Sequence, residues 1–450
     1  IMMGTRATGK SFTPFASTAS LAPLAVFRII FGVLMLFSTL RFWVYGWIDD
    51  LYIKPSFHFK YYGFEWVQAL SAEGMYGLFT LMAVASLLIA LGLAYRVAAV
   101  LFFLAFTYVE LIDVTTYLNH YYFVSLVAFL LIWLPANRLY SLDVRFGWKQ
   151  PALRGSPWFV NIIRLQLAIV YFYAGVAKLN PEWMLEALPL KIWLPAKADM
   201  PLIGPLLDYE WVAYAFSWFG AFYDLTIPFF LWNRKTRPFA YITVIIFHIL
   251  TWLLFPIGVF PWVMIFSTLI FFGDDFHQKV LSRLDGIFKL PASANFTQSR
   301  IHPALRIFFI IFLAWQVLWP WRFMAYPGKL FWTEQGYRLS WRVMLMEKAG
   351  YVTFHITDPR TGRSGEAHPS DYLTPNQEKQ MSTQPDLILQ FAHYLEKEYQ
   401  AKGVEDPVIT AEAYVTLNGQ GSRLFIDPEA DLTEKDDSFA PKEWILDYED

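Results

Sequence analysis

Leu165-Gln166-Leu167-Ala168-Ile169-Val170-Tyr171-Phe172-Tyr173-Ala174-Gly175-Val176-Ala177-Lys178 is an apolar run closed by one basic residue. With the apolar residues before it, it approaches the roughly 20 residues that cross a bilayer as a helix. A lysine at the end of such a helix costs free energy unless it reaches the headgroups or is used. Leaving water favours an amine's uncharged, proton-accepting form, so Lys178 is the first candidate for chemistry.

Hydrophobic residues make up 56% of the chain and charged ones 16%, far from the proportions of a soluble domain. Further apolar runs place membrane spans at about 22–46, 76–94, 97–115, 119–136, 159–177, 207–231, 238–255, 258–272 and 304–320. The expected fold is therefore mainly α, a polytopic transmembrane helix bundle of about nine spans over residues 1–320. A small α+β extracytoplasmic domain follows over 321–450, open to continuation at its C-terminal end. In that region Val352, Phe354 and Ile356 alternate with polar neighbours before a Pro359-Arg360-Thr361-Gly362 turn. Ile388, Phe391, Ala392, Leu395 and Tyr399 recur at helical spacing, and Ile409 to Leu417 alternate again. The acidic stretch from Pro428 onward reads as a linker.

Charge sets the orientation, because short cytoplasmic loops concentrate lysine and arginine. With the N-terminus inside, the inner segments hold Arg6, Lys10, Arg96, Arg138, Arg145, Lys149, Arg154, Arg234, Lys235, Arg237, Lys279, Arg283, Lys289 and Arg300. The outer loops hold only Lys54, Lys60, Lys191 and Lys197. Residues 1–20 read as a cytoplasmic tail, since they lack an apolar core followed by a cleavage site. The expected location is a bacterial inner membrane, with the N-terminus cytoplasmic and the C-terminal domain outside.

A net charge of −2 without a basic stripe excludes a nucleic-acid partner. The absence of cysteine removes disulfides, thiolate nucleophiles and thiolate metal sites. No phosphate loop, dinucleotide fingerprint or nucleophile elbow is present. Arg28, Arg164 and Asp224 fall near the inner face on this topology, where they are expected to neutralise one another. Near the outer face, Glu110 and Asp113 end one span, Asn119 and His120 open the next, and Lys178 ends the fifth. Titratable groups from three helices thus converge at one depth. Taken singly each has an ordinary reading: an interfacial histidine, a snorkelling lysine, and His248 as a structural histidine with no second metal-type residue at helical spacing.

Beyond these physical readings, Ala174-Gly175-Val176-Ala177-Lys178-Leu179-Asn180-Pro181-Glu182-Trp183 resembles the segment around the essential lysine of the vitamin K-dependent gamma-glutamyl carboxylases. Phe27-Arg28-Ile29-Ile30-Phe31-Gly32, Asn119-His120, Phe247-His248, Phe255-Pro256-Ile257-Gly258-Val259-Phe260, Gly336-Tyr337-Arg338-Leu339-Ser340-Trp341 and Phe425-Ile426-Asp427-Pro428 agree in the same order. The similarity runs from about 20 to 430. It implies an enzyme that oxygenates vitamin K hydroquinone (reduced phylloquinone or menaquinone) with O2, giving the 2,3-epoxide and a strong base. That base removes a γ proton from a peptidyl glutamate, and the carbanion takes up CO2. No metal is implied.

By the same resemblance, Lys178 is the residue that deprotonates the hydroquinone and His120 the one that stabilises the carbanion. Asn119, Tyr337 and Trp341 bind the glutamate substrate, while Phe260, Met264 and His248 wall the hydroquinone pocket. A quinone reductase is implied as a partner, beside the bilayer and a glutamate-containing protein. Animal members carry a second lysine where Ala177 stands, a disulfide that cannot form here, and a longer β-rich region for propeptide recognition, so how a protein substrate is held is left open. A quinol epoxidase or related oxidoreductase without peptide carboxylation is the alternative, and a transporter or structural membrane protein is a third reading.

Overall fold

A computed structural model of the chain describes residues 18–288 and 296–448. The proposed cytoplasmic tail up to residue 17 and Lys289 lie outside them. The fold is mainly helical, 59%. Among the described residues, six helical segments are long and apolar enough to cross a membrane: α1 (Ala22–Val44), α2 (Ala72–Leu91), α3 (Tyr95–Ile112), α5 (Trp158–Lys178), α7 (Arg237–Leu254) and the segment Pro303–Ala325, whose α-helical part is α9 (Pro303–Leu318). The other three expected spans are helices of different character. α4 (Asn119–Trp133) and the stretch Phe260–Phe271, which begins with α8 (Phe260–Ser267), are shorter. α6 (Glu210–Trp232) has 23 residues but carries Asp224 and several Tyr and Trp side chains among its apolar ones.

Glycines set the closest approaches in the bundle. A side chain at Gly32 of α1 would meet the α2 backbone at Ala90 N, 2.4 Å, and Ser86 O, 2.6 Å. At Gly175 of α5 it would meet Leu225 N of α6 at 2.7 Å. The second contact brings Lys178, one turn further along α5, beside Asp224. Three short strands, β1 (Ala19–Ser20), β2 (Ala152–Gly155) and β3 (Thr297–Ser299), join distant parts of the chain at the end of the bundle opposite the C-terminal domain.

The C-terminal part folds as its alternation requires. β4 (Lys348–Thr357) pairs with β5 (Ser364–Ala367) and β6 (Val408–Leu417), and β6 with β7 (Arg423–Leu424), all antiparallel, in the order β5-β4-β6-β7. Val352, Phe354 and Ile356 of β4 and Ile409, Ala411 and Ala413 of β6 point inward. They meet Ile388, Phe391, Ala392 and Leu395 of α11 (Pro385–Ala401), which follows the short α10 (Pro375–Met381). The stretch after Pro428 is not a linker in its described part. Leu432, Trp444 and Ile445 are buried, and Ile426 bridges to Ile445, because these apolar side chains complete the sheet's core despite the acidic residues around them.

Buried polar contacts tie the sheet and helices of the domain to the bundle and to the segment that follows α9. Asp113, after α3, accepts from Thr115 N and Oγ1 at 2.9 and 2.7 Å and from Gln377 Nε2 of α10 at 2.8 Å. Lys348 Nζ donates to Glu334 at 2.8 Å and to the carbonyls of Trp332 and Thr383. Burial pulls the Lys348 amine below its ordinary value, with Glu334 opposing. Arg338 pairs with Asp386 and Gln384 of the domain and accepts from Arg322 at its carbonyl.

The expected mutual neutralisation of Arg28, Arg164 and Asp224 does not occur. Arg28 donates to the carbonyls of Ile89, Ala90 and Tyr140, and Arg164 to those of Ile270 and Phe272. Carbonyls freed at helix ends satisfy a guanidinium without a carboxylate.

Candidate active site

Asp224 lies beside Lys178, not at the opposite face. Lys178 Nζ donates to Asp224 Oδ2 at 2.8 Å and to Ala174 O at 3.1 Å, with side-chain exposures of 8% and 7% for the pair. The depth inferred for Asp224 fails because the first half of α6 runs past the end of α5 and packs on the short helices of 179–209, where Trp183 meets Ser217, while Leu225 lies against Gly175. Trp183, in the helix Pro181–Glu186, lies 5.4 Å below the ammonium and donates its Nε1 to Ser217 O of α6. Burying an ammonium alone is costly, and a hydrogen-bonded carboxylate offsets that cost. That need was readable: Asp224 is the one acidic residue inside α6 beyond its first turn.

Lys178 and Asp224 line a small apolar cavity, about 100 Å³, with Val170, Tyr171, Phe247, His248, Phe260 and Met264 among its walls. His248 Nε2 is 3.2 Å from Tyr171 OH, and its buried Nδ1 has no partner among the described residues. Three of the residues expected from the sequence to wall a hydroquinone therefore sit around the candidate base. The volume holds no bicyclic ring without adjustment of Met264, Met344 or Phe260, and methionine is the side chain that adapts most readily.

His120 belongs to an adjoining cavity of about 530 Å³, which it shares with Asn119, Tyr117, Arg41 and Trp47. Phe260, Ile257, Val343 and Met344 line both cavities. The Phe260 ring is 5.7 Å from that of His120 and 5.4 Å from that of His248. His120 Nε2 is buried and has no partner among the described residues. Asn119 reaches the wall, but its amide is engaged: Nδ2 donates to Arg342 O and Oδ1 accepts from Tyr117 OH, both at 3.0 Å. It thus holds the 340s segment against α4.

The remaining expected residues are placed differently. Trp341 is 1% exposed and stacks on Tyr122 at 4.8 Å, and Tyr337 packs on Phe331, so neither lines either cavity. Val343 and Met344, a few residues on, do. Glu110 and Asp113 line neither cavity. Asp113 is spent on Thr115 and Gln377, so the expected convergence of five groups reduces to Asn119, His120 and, across Phe260, Lys178. A cleft of about 880 Å³ lies beyond the end of α5 against Val176, Ala177, Trp321 and Arg342 and contains none of the expected site residues. Among the described residues, no group of three or more His, Asp or Glu is placed to hold a metal ion.

Residues 17–276, more than half of the chain, match the HTTM domain model, and residues 301–450 match that of the vitamin K-dependent gamma-carboxylase lumenal domain. The chain belongs to the vitamin K-dependent gamma-carboxylase family. No solved structure matches the chain. In this family member, both cavities lie where the HTTM-matching bundle meets the segment leading into the lumenal-type domain. The family's carboxylase character, membrane-helix bundle and lumenal domain fit a lipid bilayer and a glutamate substrate.

Proposed function

We propose that the protein is a membrane-embedded vitamin K-dependent gamma-glutamyl carboxylase that couples hydroquinone epoxidation to carboxylation of a peptidyl glutamate. The observation that carries this reading is the buried Lys178–Asp224 pair in an apolar, aromatic cavity that shares a wall with the cavity of His120. The γ C–H of a glutamate is far too weak an acid for a side-chain base acting near its own pKa. A carboxylase therefore needs a base that no residue supplies. A hydroquinone held beside Lys178 would supply it by reaction with O2.

The lining fits a flat aromatic diol: Phe260, Met264 and Phe247 offer apolar faces, and the unpartnered Nδ1 of His248 offers one polar contact. Lys178 Nζ accepts the proton of a phenolic hydroxyl held there. An ammonium has no free electron pair, so the shared proton passes first to Asp224, which leaves the pair without net charge, and the anion left on the diol then balances the ammonium that forms. His120, across Phe260, donates from its free nitrogen to the charge that develops on the glutamate side chain as its γ proton leaves. The Phe260 side chain and its neighbours Val343 and Met344 keep bulk water from that charge.

In this reading the bundle spans a bacterial inner membrane with the N-terminus inside and the C-terminal domain outside, and a quinone reductase regenerates the hydroquinone. Incubation of the purified protein with reduced vitamin K, labelled bicarbonate and a Glu-containing peptide tests it: label in the peptide and epoxide in matching amounts are expected. Epoxide without label would leave a quinol epoxidase. His120→Ala separates the halves further, since it is expected to lower carboxylation by about 10²-fold or more while epoxide formation falls much less.

A further inference from the structure

The 530 Å³ cavity of His120 contains a cation with no ion-pair partner among the described residues. Its lining includes no Asp or Glu, and Arg41, in the last turn of α1, is its one Lys or Arg side chain. Among the described residues Arg41 makes no ion pair and no side-chain hydrogen bond. Its guanidinium is steadied over the Trp47 ring, 5.0 Å from the centroid. Gly258 lies beside it, and a side-chain carbon added there would come into van der Waals contact with Nη2 at 3.8 Å. The charge is near enough to act on the His120 imidazole. Arg28 and Arg164 of the bundle donate to backbone carbonyls, and Arg41 makes no such contact among the described residues.

We infer that Arg41 is the receptor for the side-chain carboxylate of the peptide, holding it in the His120 cavity by a charge-assisted, two-pronged contact. This rests on the carboxylase reading and names the part of the site that selects the reacting residue. A guanidinium matches a carboxylate with two parallel N–H donors, and a cavity with no competing acid leaves both prongs for the ligand. Asn376 and Gln380, from α10 of the C-terminal domain, also line the cavity, so a peptide reaches it from the domain's side. The neutral amide of a glutamine, which cannot accept both prongs, is disfavoured. The guanidinium also stabilises the carboxylate as negative charge spreads onto it from the γ carbon.

The test is binding of two short fluorescent peptides, identical except for Glu or Gln at the central position, to the full-length protein in detergent. Wild type is expected to bind the Glu peptide about tenfold or more tightly, the usual strength of a hydrogen-bonded charge contact. R41Q is expected to remove the preference, R41K to reduce it several-fold, and K54Q, at an exposed outer cation, to leave it intact. Equal affinities in wild type, or an undiminished preference in R41K or R41Q, would overturn the inference. The wild-type comparison and R41K stand even if R41Q does not fold. Labelled-bicarbonate incorporation by wild type is measured separately, so an absence of carboxylation with a clear Glu preference would fault the carboxylase reading and not Arg41.

Discussion

Lys178 was legible as a chemical residue because a lone cation ending an apolar run needs a reason; Asp224 could be found as the one acid well inside α6, but not its depth, which depends on how far α6 runs past the end of α5. Asp224 pairs with Lys178 at 2.8 Å. Removing one member of a buried pair leaves the other uncompensated, at a cost of about 3–5 kcal/mol. Asp224→Asn is therefore expected to lower the melting temperature in detergent and to cut quinol-dependent turnover by at least tenfold. Unchanged epoxide formation in Asp224→Asn would remove Asp224 from the account. Tyr337 and Trp341 show the limit of reading residues by resemblance alone: the segment is at the site, yet Val343 and Met344 face the cavities. The turn that rotates the chain there includes Leu339, Trp341 and Met344 at positive φ, which no spacing rule foretells.

At the scale of elements, the α5–α6 approach at Gly175 decides how close Lys178 and Asp224 come. Adding a methyl 2.7 Å from the Leu225 backbone forces the helices apart, at about 1–3 kcal/mol. Gly175→Ala should thus lose turnover in step with stability, although residue 175 lines neither site cavity; a variant with wild-type melting and wild-type epoxidation would contradict this. The Arg338–Asp386 strut makes a separate prediction. Burial acts to raise the Asp386 carboxyl, but the Arg338 guanidinium overrules it and holds the group below its ordinary value. A depressed carboxylate stabilises above its unfolded value of about 4 and loses that contribution as pH falls through the folded one. Thermal stability should therefore drop below about pH 4, and Asp386→Asn should lose the part of the drop that this group causes. An identical acid profile in the variant would show that the strut does not carry it.

For the whole molecule, helix content, the α+β tail and its strand and helix positions could be read from periodicity, since 2.0 and 3.6 are local properties. The small sheet of β1, β2 and β3 could not, because its strands are two to four residues long and come from distant parts of the chain. Nor could the close of the acidic stretch onto the domain core, which three apolar side chains accomplish. The proposed orientation rests on Lys and Arg alone and is open to direct test, because the chain has no cysteine. Ala401→Cys in the C-terminal domain should react with an impermeant thiol reagent added to intact cells stripped of their outer membrane, and Ser282→Cys only after permeabilisation. The reverse labelling would invert the topology.

The central claim is that the hydroquinone lies beside Lys178. Determination of the structure with reduced vitamin K under anaerobic conditions tests it most directly. The account predicts density for the ring in the cavity walled by His248, Phe260 and Met264, with one hydroxyl within hydrogen-bonding distance of Lys178 Nζ. A ring bound in the 880 Å³ cleft, or one in the cavity with both hydroxyls turned away from that amine, would contradict it.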